Sequence, residues 1–326
     1  MSNLLTVSPS PHVHSSDSTQ KIMYRVVFAM IPAMAWGIYM FGFDAIRVGL
    51  ISIISCLAFE FLIQKYLMKV KPSITDGSAL ITGVLLAFNV PSNLPWWIII
   101  IGAMAAMGIG KLSFGGLGSN IFNPAIVGRV FLLISFPAQM TTWPATSSMS
   151  VDGVSAATPL ALIKEGIKNG TPVSQIEGLP QLSDMAIGFN HGSLGEISAI
   201  LLILGGFYML WKKVITWQTP VSIIATVSLV SGIFWMIDSE IYVNPLYHVL
   251  TGGLMLGAIF MATDMVTSPM TGKGQIIYGV GIGLITISIR MFGAYPEGIS
   301  FAILIMNAFV PLLNMYIKPK RFGGQK

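Results

Sequence analysis

Charge is what this chain has least of. Only 10% of its 326 residues are Asp, Glu, Lys or Arg, while 54% are apolar, and a soluble domain carries about 25% charged residues. Water is therefore not its main solvent. Cysteine is nearly missing: a single one, Cys56, lies inside an apolar run. One thiol excludes an internal disulfide, a four-cysteine zinc site and a self-contained iron–sulfur cluster. The four histidines, His12, His14, His191 and His248, have no metal-site spacing, and the first two belong to a polar tail. The first twenty residues, MSNLLTVSPSPHVHSSDSTQ, contain no apolar core of a signal peptide, so none is predicted. The net charge of +5 does not predict a nucleic-acid partner, because the lysines gather at the ends of apolar segments.

Long apolar runs are abundant, near the roughly 17–25 residues that cross a bilayer as a helix. Ten are predicted, at 22–41, 45–64, 77–91, 95–110, 119–137, 195–211, 220–237, 246–263, 275–291 and 298–317. The fold class is all-α polytopic membrane protein, with the lipid bilayer as its first partner. With the N-terminus in the cytoplasm, thirteen of the eighteen basic residues fall on the inner side, a large bias by the positive-inside rule. That orientation puts both termini in the cytoplasm and a long polar loop, 138–194, outside. Trp96, Trp97, Trp211 and Trp217 stand at segment edges, where interfacial anchoring explains them.

The chain also repeats itself. "LITGVLLA" (80–87) and "VLTGGLMLGA" (249–258) align Thr82-Gly83 with Thr251-Gly252, an offset of 169 residues. Each lies in the third segment of a group of five, and an odd group inverts its copy. The expected organisation is a tail (1–20), a five-helix repeat (21–137), the loop (138–194), a second repeat (195–317) and a short tail (318–326). Inverted repeats of this kind build many transporter folds around broken helices. Two stretches, "GIGKLSFGGLGSNIFNPAIVG" (108–128) and "ATDMVTSPMTGKG" (262–274), read as irregular backbone facing the cytoplasm, tolerated at depth only when buried in protein or lining a wet cavity.

Polar residues inside apolar segments are costly and face the interior or a cavity. Arg129 sits within the fifth segment and suits a flavin phosphate, a lipid headgroup or a helix C-terminus. Glu60 lies near the inner end of the second segment and is expected to reach water. Asp76 and Asp264 suit helix caps or cation contacts. Asn120, Asn123, Asp264 and Thr267 are further candidates near the repeat axis.

The loop contains "DGVSAATPL" (152–160). Pro159 biases Thr158 away from helical geometry, and small neighbours leave its hydroxyl open to accept a phosphoryl group. No activating base is nearby, so on local grounds a plain Ser/Thr-Pro turn in a surface loop is the favoured reading.

The chain resembles the RnfD/NqrB family, membrane flavoproteins of ion-pumping respiratory complexes. The resemblance runs nearly end to end, through "SPHVHSSDSTQKIMYRVVFAMIPA", "DGSALITGVLLAFNVP", "FNPAIVGR", "ATDMVTSP" and "SFAILIMNAFVPLLN". It includes the flavin-attachment pattern Asp-x-x-Ser-(Gly/Ala)-Ala-Thr, matched by Asp152, Ser155, Ala156, Ala157 and Thr158. The length and the Ser-Pro-His start look like the RnfD branch rather than the longer NqrB. The resemblance implies a fold similar to urea transporters and FMN joined by its phosphate to the Thr158 hydroxyl by a separate flavin transferase. It implies a non-autonomous component of the bacterial cytoplasmic (inner) membrane, working with the FMN-carrying RnfG protein, the membrane proteins RnfA and RnfE, and RnfC. In such a complex electrons pass between ferredoxin and NAD, coupled to Na⁺ or H⁺ movement, with a second, non-covalent flavin (riboflavin) as a further cofactor. The alternatives are an NqrB-like component of a Na⁺-pumping quinone reductase, a urea-type solute channel, and a structural anchor without cofactor.

Overall fold

The computed structural model describes residues 17–144, 157–176, 178–189, 192–196 and 198–319. Asp152, Ser155, His12, His14 and His191 lie outside them. Among the described residues the chain is helical, with no β-strand.

All ten predicted segments fall on helix, but four of them are short. Six helices are long and apolar enough to cross a membrane: α1 (Thr19–Phe41), α2 (Phe43–Leu62, extended by a π turn over Ile63–Leu67), α4 (Trp96–Gly108, with the turns that follow to Phe114), α10 (Gln218–Ile237), α13 (Gly272–Phe292) and α14 (Ile299–Tyr316). The others are α3 (Ser78–Phe88), α5 (Pro124–Ser135), α9 (Ala199–Trp211) and a broken pair, α11 (Pro245–Leu250) and α12 (Leu254–Leu256), which runs on into a π turn over Gly257–Met261. Length and composition thus support six spans among the described residues, and the other four predicted segments fall on helices that are shorter or broken. The remaining helices are the short α6 (Pro137–Thr141), α7 (Pro159–Asn169) and α8 (Leu182–Ile187).

Local chemistry sets several of these boundaries. Ser18 caps α1 by accepting from Lys21 N at 3.2 Å. Asn123 and Asn244 each cap a helix that opens with proline, accepting from Ala125 N at 3.0 Å and Leu246 N at 2.9 Å, the position where proline loses no hydrogen bond. The break between α11 and α12 turns on Gly252 at φ +67°, a left-handed conformation that glycine adopts without cost.

The helices pack in a recurring order. In the first half α2 lies on α3 and α4, and α4 lies on α5; in the second, α10 lies on α11 and α13, and α13 lies on α14. Across the halves α1 meets α9 and α5 meets α14. Small residues permit these approaches: a Cβ on Gly83 would stand 2.7 Å from Ile53 Cα, and Ser52 Oγ donates to Gly83 O at 2.8 Å. Outward-facing side chains are apolar, among them Leu50, Ile54, Phe207, Leu229 and Ile233, as lipid contact requires. Trp96, Trp97, Trp211 and Trp217 are all exposed at helix ends.

The aligned Thr-Gly pairs differ in one respect. Thr82 and Thr251 both return their hydroxyls to the carbonyl four residues back, Ser78 O and Tyr247 O. Gly83 lies inside continuous α3, whereas Gly252 is the break itself.

Candidate functional site

The predicted site residues separate into two groups at opposite ends of α3. The first surrounds a cavity at its N-terminal end. Ser78, Ile81, Thr82 and Leu85 from α3 line it, with Ile22 and Val26 from α1, Lys111, Asn120 and Asn123 from the 109–123 stretch, and Phe260, Thr263 and Asp264 from the second half. It encloses about 740 Å³ not filled by atoms, part of it open to solvent. The two stretches expected to be irregular meet here; they are irregular over 109–123 and 262–271, while 124–128 and 272–274 already belong to α5 and α13.

Each polar group has an evident anchor. Asn123 Nδ2 donates to Met261 O at 3.2 Å, tying α5 to the end of the π turn. Asn120 Nδ2 donates to Phe122 O at 3.0 Å, while its Oδ1 is buried without a partner among the described residues. Asp264 accepts from Thr267 Oγ1 at 3.1 Å, so Thr267 stands behind the lining as a support. Asp76 accepts from Ser78 N at 2.8 Å and Ser78 Oγ at 2.5 Å, serving the first amide of α3 from the residue before its N-cap, Gly77.

Glu60 does not reach water. It is fully buried and accepts from Lys111 Nζ at 2.5 Å, and Lys111 also donates to Ser78 Oγ at 2.6 Å. The expectation fails because Lys111, remote in sequence, folds back from the end of α4 over the end of α2 and supplies the counter-charge that a buried carboxylate needs.

The second group lies at the other end of α3. Arg129 Nη1 donates to Asn89 Oδ1 at 2.7 Å. Its Nη2 donates to Glu297 Oε2 and stands 3.7 Å from Glu196 Oε1. Gly253 N donates to Glu297 Oε1 at 2.7 Å, so the helix break is pinned to this network. Arg290, near the end of α13, donates to His248 O and, at 3.1 Å, to Thr251 O. Of the roles considered for Arg129, the structure shows a contact at a helix C-terminus, through the C-cap residue of α3, and adds an acidic pair that none of them included.

Burial pushes the Glu196 carboxyl well above its ordinary pKa; the charge of Glu297 adds to this and Arg129 opposes it. Burial would also raise Glu297, but Arg129, its contact with Glu196, Arg290 and the Gly253 amide bring it below the usual range.

Thr158 stands close to this network through α7. Its backbone is extended (φ −70°, ψ 152°), as Pro159 predicts, but it caps a helix rather than forming an isolated turn: Oγ1 accepts from Ala161 N at 3.3 Å. The hydroxyl is not open as expected, since Thr158 is only 9% exposed. Leu160, two residues on, packs against Gly252, where a Cβ would meet Leu160 Cδ1 at 2.6 Å and Glu297 Oε1 at 2.5 Å. Lys164 Nζ donates to Tyr295 O at 2.6 Å, fastening α7 to the turn after α13.

Asn89, Lys111, Glu196, Glu297 and Arg290 were not singled out as site residues by the sequence, although each is polar at or near the end of an apolar segment. Among the described residues no group of three or more His, Cys, Asp or Glu could hold a metal ion.

A helical bundle with outward apolar faces, broken short helices and two buried polar centres defines a multi-pass membrane protein of the transport class. The chain belongs to the NQR2, RnfD, RnfE family, whose model matches residues 6–323. It is 44% identical over 326 residues to the D subunit of the proton-translocating ferredoxin:NAD(+) oxidoreductase complex of Clostridium ljungdahlii, covering 99% of this chain and 98% of that one. It is also 44% identical over 325 residues to the D subunit of the Na(+)-translocating ferredoxin:NAD(+) oxidoreductase complex of Acetobacterium woodii, covering 99% and 96%. The D subunit of the ion-translocating oxidoreductase complex of Escherichia coli (strain SMS-3-5 / SECEC) is 36% identical over 351 residues, with 98% and 99% covered.

Proposed function

We propose that this chain is the D-type membrane subunit of an Rnf-type complex, passing electrons between ferredoxin and NAD through FMN joined covalently to Thr158. One observation carries the reading. The attachment pattern ends on Thr158 in a chain that matches, almost end to end, relatives named as the D subunit of such complexes. NqrB-like and urea-type readings account less well for that combination.

The residues at Thr158 suit a phosphoester. Esterification would leave Oγ1 able to accept from Ala161 N, and the phosphate would be carried at the N-terminus of the eleven-residue α7, where the helix dipole favours an anion. The flavin supplies the electron-carrying chemistry when attached; the chain supplies placement. Leu160 and Lys164 hold α7 against the break and the α13 turn, fixing the tether.

The cavity at the other end of α3 suits a second, non-covalent flavin such as riboflavin. Ile81, Leu85, Val26 and Phe260 offer apolar walls, and Ser78, Thr82, Asn120, Asn123, Lys111 and Asp264 offer polar edges. The unpartnered Asn120 Oδ1 is a hydrogen-bond acceptor ready for a ligand donor. With eleven residues, α3 is about 16 Å long, against a membrane core of about 30 Å. The short helix therefore brings the two sites closer than a full span would.

Two inverted five-helix repeats, with the 138–194 loop outside and both termini cytoplasmic, complete the proposal; the recurring packing order and the basic-residue bias support it. Function in a complex requires the partner proteins RnfG, RnfA, RnfE and RnfC, and a transferase for FMN attachment. The relatives named for H⁺ and for Na⁺ are equally identical to this chain, so identity alone does not select the cation.

In-gel flavin fluorescence after denaturation, with mass spectrometry of the 152–164 peptide, tests the attachment. A fluorescent band carrying an added FMN is expected for the wild type and its loss for Thr158→Ala. A band that persists in Thr158→Ala overturns it.

A further inference from the structure

The network beneath α7 holds an excess of unsatisfied polar atoms in a largely buried place. Glu196 is 6% exposed and Ser193 fully buried. Among the described residues Glu196 Oε1 finds no hydrogen-bond partner, nor do Ser193 Oγ, either ring nitrogen of His248, or Arg290 Nε. The Glu196 and Glu297 carboxyls converge on one nitrogen, Arg129 Nη2, which donates to Glu297 and stands 3.7 Å from Glu196 Oε1. Two carboxylates cannot hydrogen-bond, since both only accept; a proton on one makes the other a partner.

The surrounding charges agree. Arg129 of α5 gives its Nη2 to Glu297 and only a 3.7 Å approach to Glu196. Arg290 of α13 is spent on the carbonyls of His248 and Thr251. From α11 comes His248, 2% exposed with no partner for its ring. From α7 comes Lys164, directed to the carbonyls of Ile289 and Tyr295. Among the described residues Glu196 therefore has no cation of its own at contact distance and shares Arg129 with Glu297, and like-charged carboxyls that share one cation have a raised affinity for one proton between them.

We propose that Glu196 and Glu297 form a proton-binding pair that takes up one proton when the group tethered at Thr158 gains an electron and releases it when that electron leaves. The inference rests on the reading of Thr158 as the flavin tether. Charge balances: one electron arriving from the redox partner adds one negative charge, and one proton from water adds one positive charge to the pair, which passes from two carboxylates to a carboxyl–carboxylate. Water reaches the pair at Glu297, the more exposed member, whose side chain is 17% accessible. Leu160 and Glu297 both converge on Gly252, placing the pair two residues' reach from Thr158. Arg129 and the Gly253 amide are positioning groups that keep Glu297 fixed against Glu196.

Reduced-minus-oxidised infrared difference spectroscopy on the assembled complex reads this directly. A carboxylic-acid C=O band is expected to appear on reduction, to shift in deuterium oxide, and to be lost in Glu196→Gln and Glu297→Gln complexes that keep their fluorescent covalent flavin. If neither complex assembles, carbon-13-labelled glutamate in the wild type must shift the band. A wild type with no redox-linked band, a band retained in both variants, or one that ignores the label overturns the proposal. If the gel shows no covalent flavin, the Thr158 reading fails separately. The pair is then judged by a static pH titration of the same band, where its absence at every pH between acid and neutrality overturns proton sharing.

Discussion

Arg129 and Asn89 meet at 2.7 Å, Nη1 to Oδ1, joining the middle of α5 to the C-cap of α3. The same guanidinium serves Glu297 and Glu196, so one side chain ties the first half of the chain to the turns before α9 and α14. Arg129→Leu strips two buried acids of their cation and is expected to destabilise the fold by about 3–5 kcal/mol. Thermal unfolding in detergent checks it; Arg129→Lys, which keeps the charge and loses the forked geometry, should fall between.

Glu60 and Lys111 form a sealed pair. Removing either partner alone (Glu60→Leu or Lys111→Met) leaves an uncompensated charge, again costing about 3–5 kcal/mol. The double variant should recover most of the loss. A double-mutant cycle on unfolding midpoints measures the coupling, and additive losses would show that the pair does not act as a unit.

Gly83→Ala places a methyl 2.7 Å from Ile53 Cα, a contact with backbone that no rotamer relieves. A loss of about 1–3 kcal/mol is expected from overpacking. Gly49→Ala, on the neighbouring helix with nothing within 4 Å of its Cβ, is the control and should be neutral or slightly stabilising.

Asn123 caps α5 and holds the Met261 carbonyl. Asn123→Ala should cost about 1 kcal/mol for the cap, with a further loss for the orphaned carbonyl. Asn123→Asp retains the cap acceptor, loses the donor, and should land between the two in unfolding midpoint. If the cavity holds the non-covalent flavin proposed for it, retention of that flavin through purification should fall in the same order.

Glu196 carries the pH dependence. Its carboxyl is raised by burial, so the folded chain binds that proton more tightly than the unfolded chain does. Stability from this group is complete below the ordinary glutamate pKa and is lost as pH rises through the raised value. Glu297, lowered on balance, acts oppositely, stabilising above the ordinary value and losing that contribution as pH falls through its own. Glu196→Gln should flatten the decline above the ordinary glutamate range while leaving the acid limb; an unchanged alkaline-side slope in unfolding midpoints would refute the assignment.

Periodicity and composition determined the solvent and the number of apolar segments, because each residue's preference for lipid over water is local. The local contact of Asp76 at the start of α3 and the extended Thr158 before Pro159 were legible for the same reason: they depend on neighbours within a few residues. Tertiary structure alone decided that Lys111 seals Glu60 and that Arg129 faces Glu196 and Glu297 across 67 and 168 residues of chain. A buried charge is tolerated only beside its partner, and a partner brought from another helix leaves no trace in the spacing of the sequence.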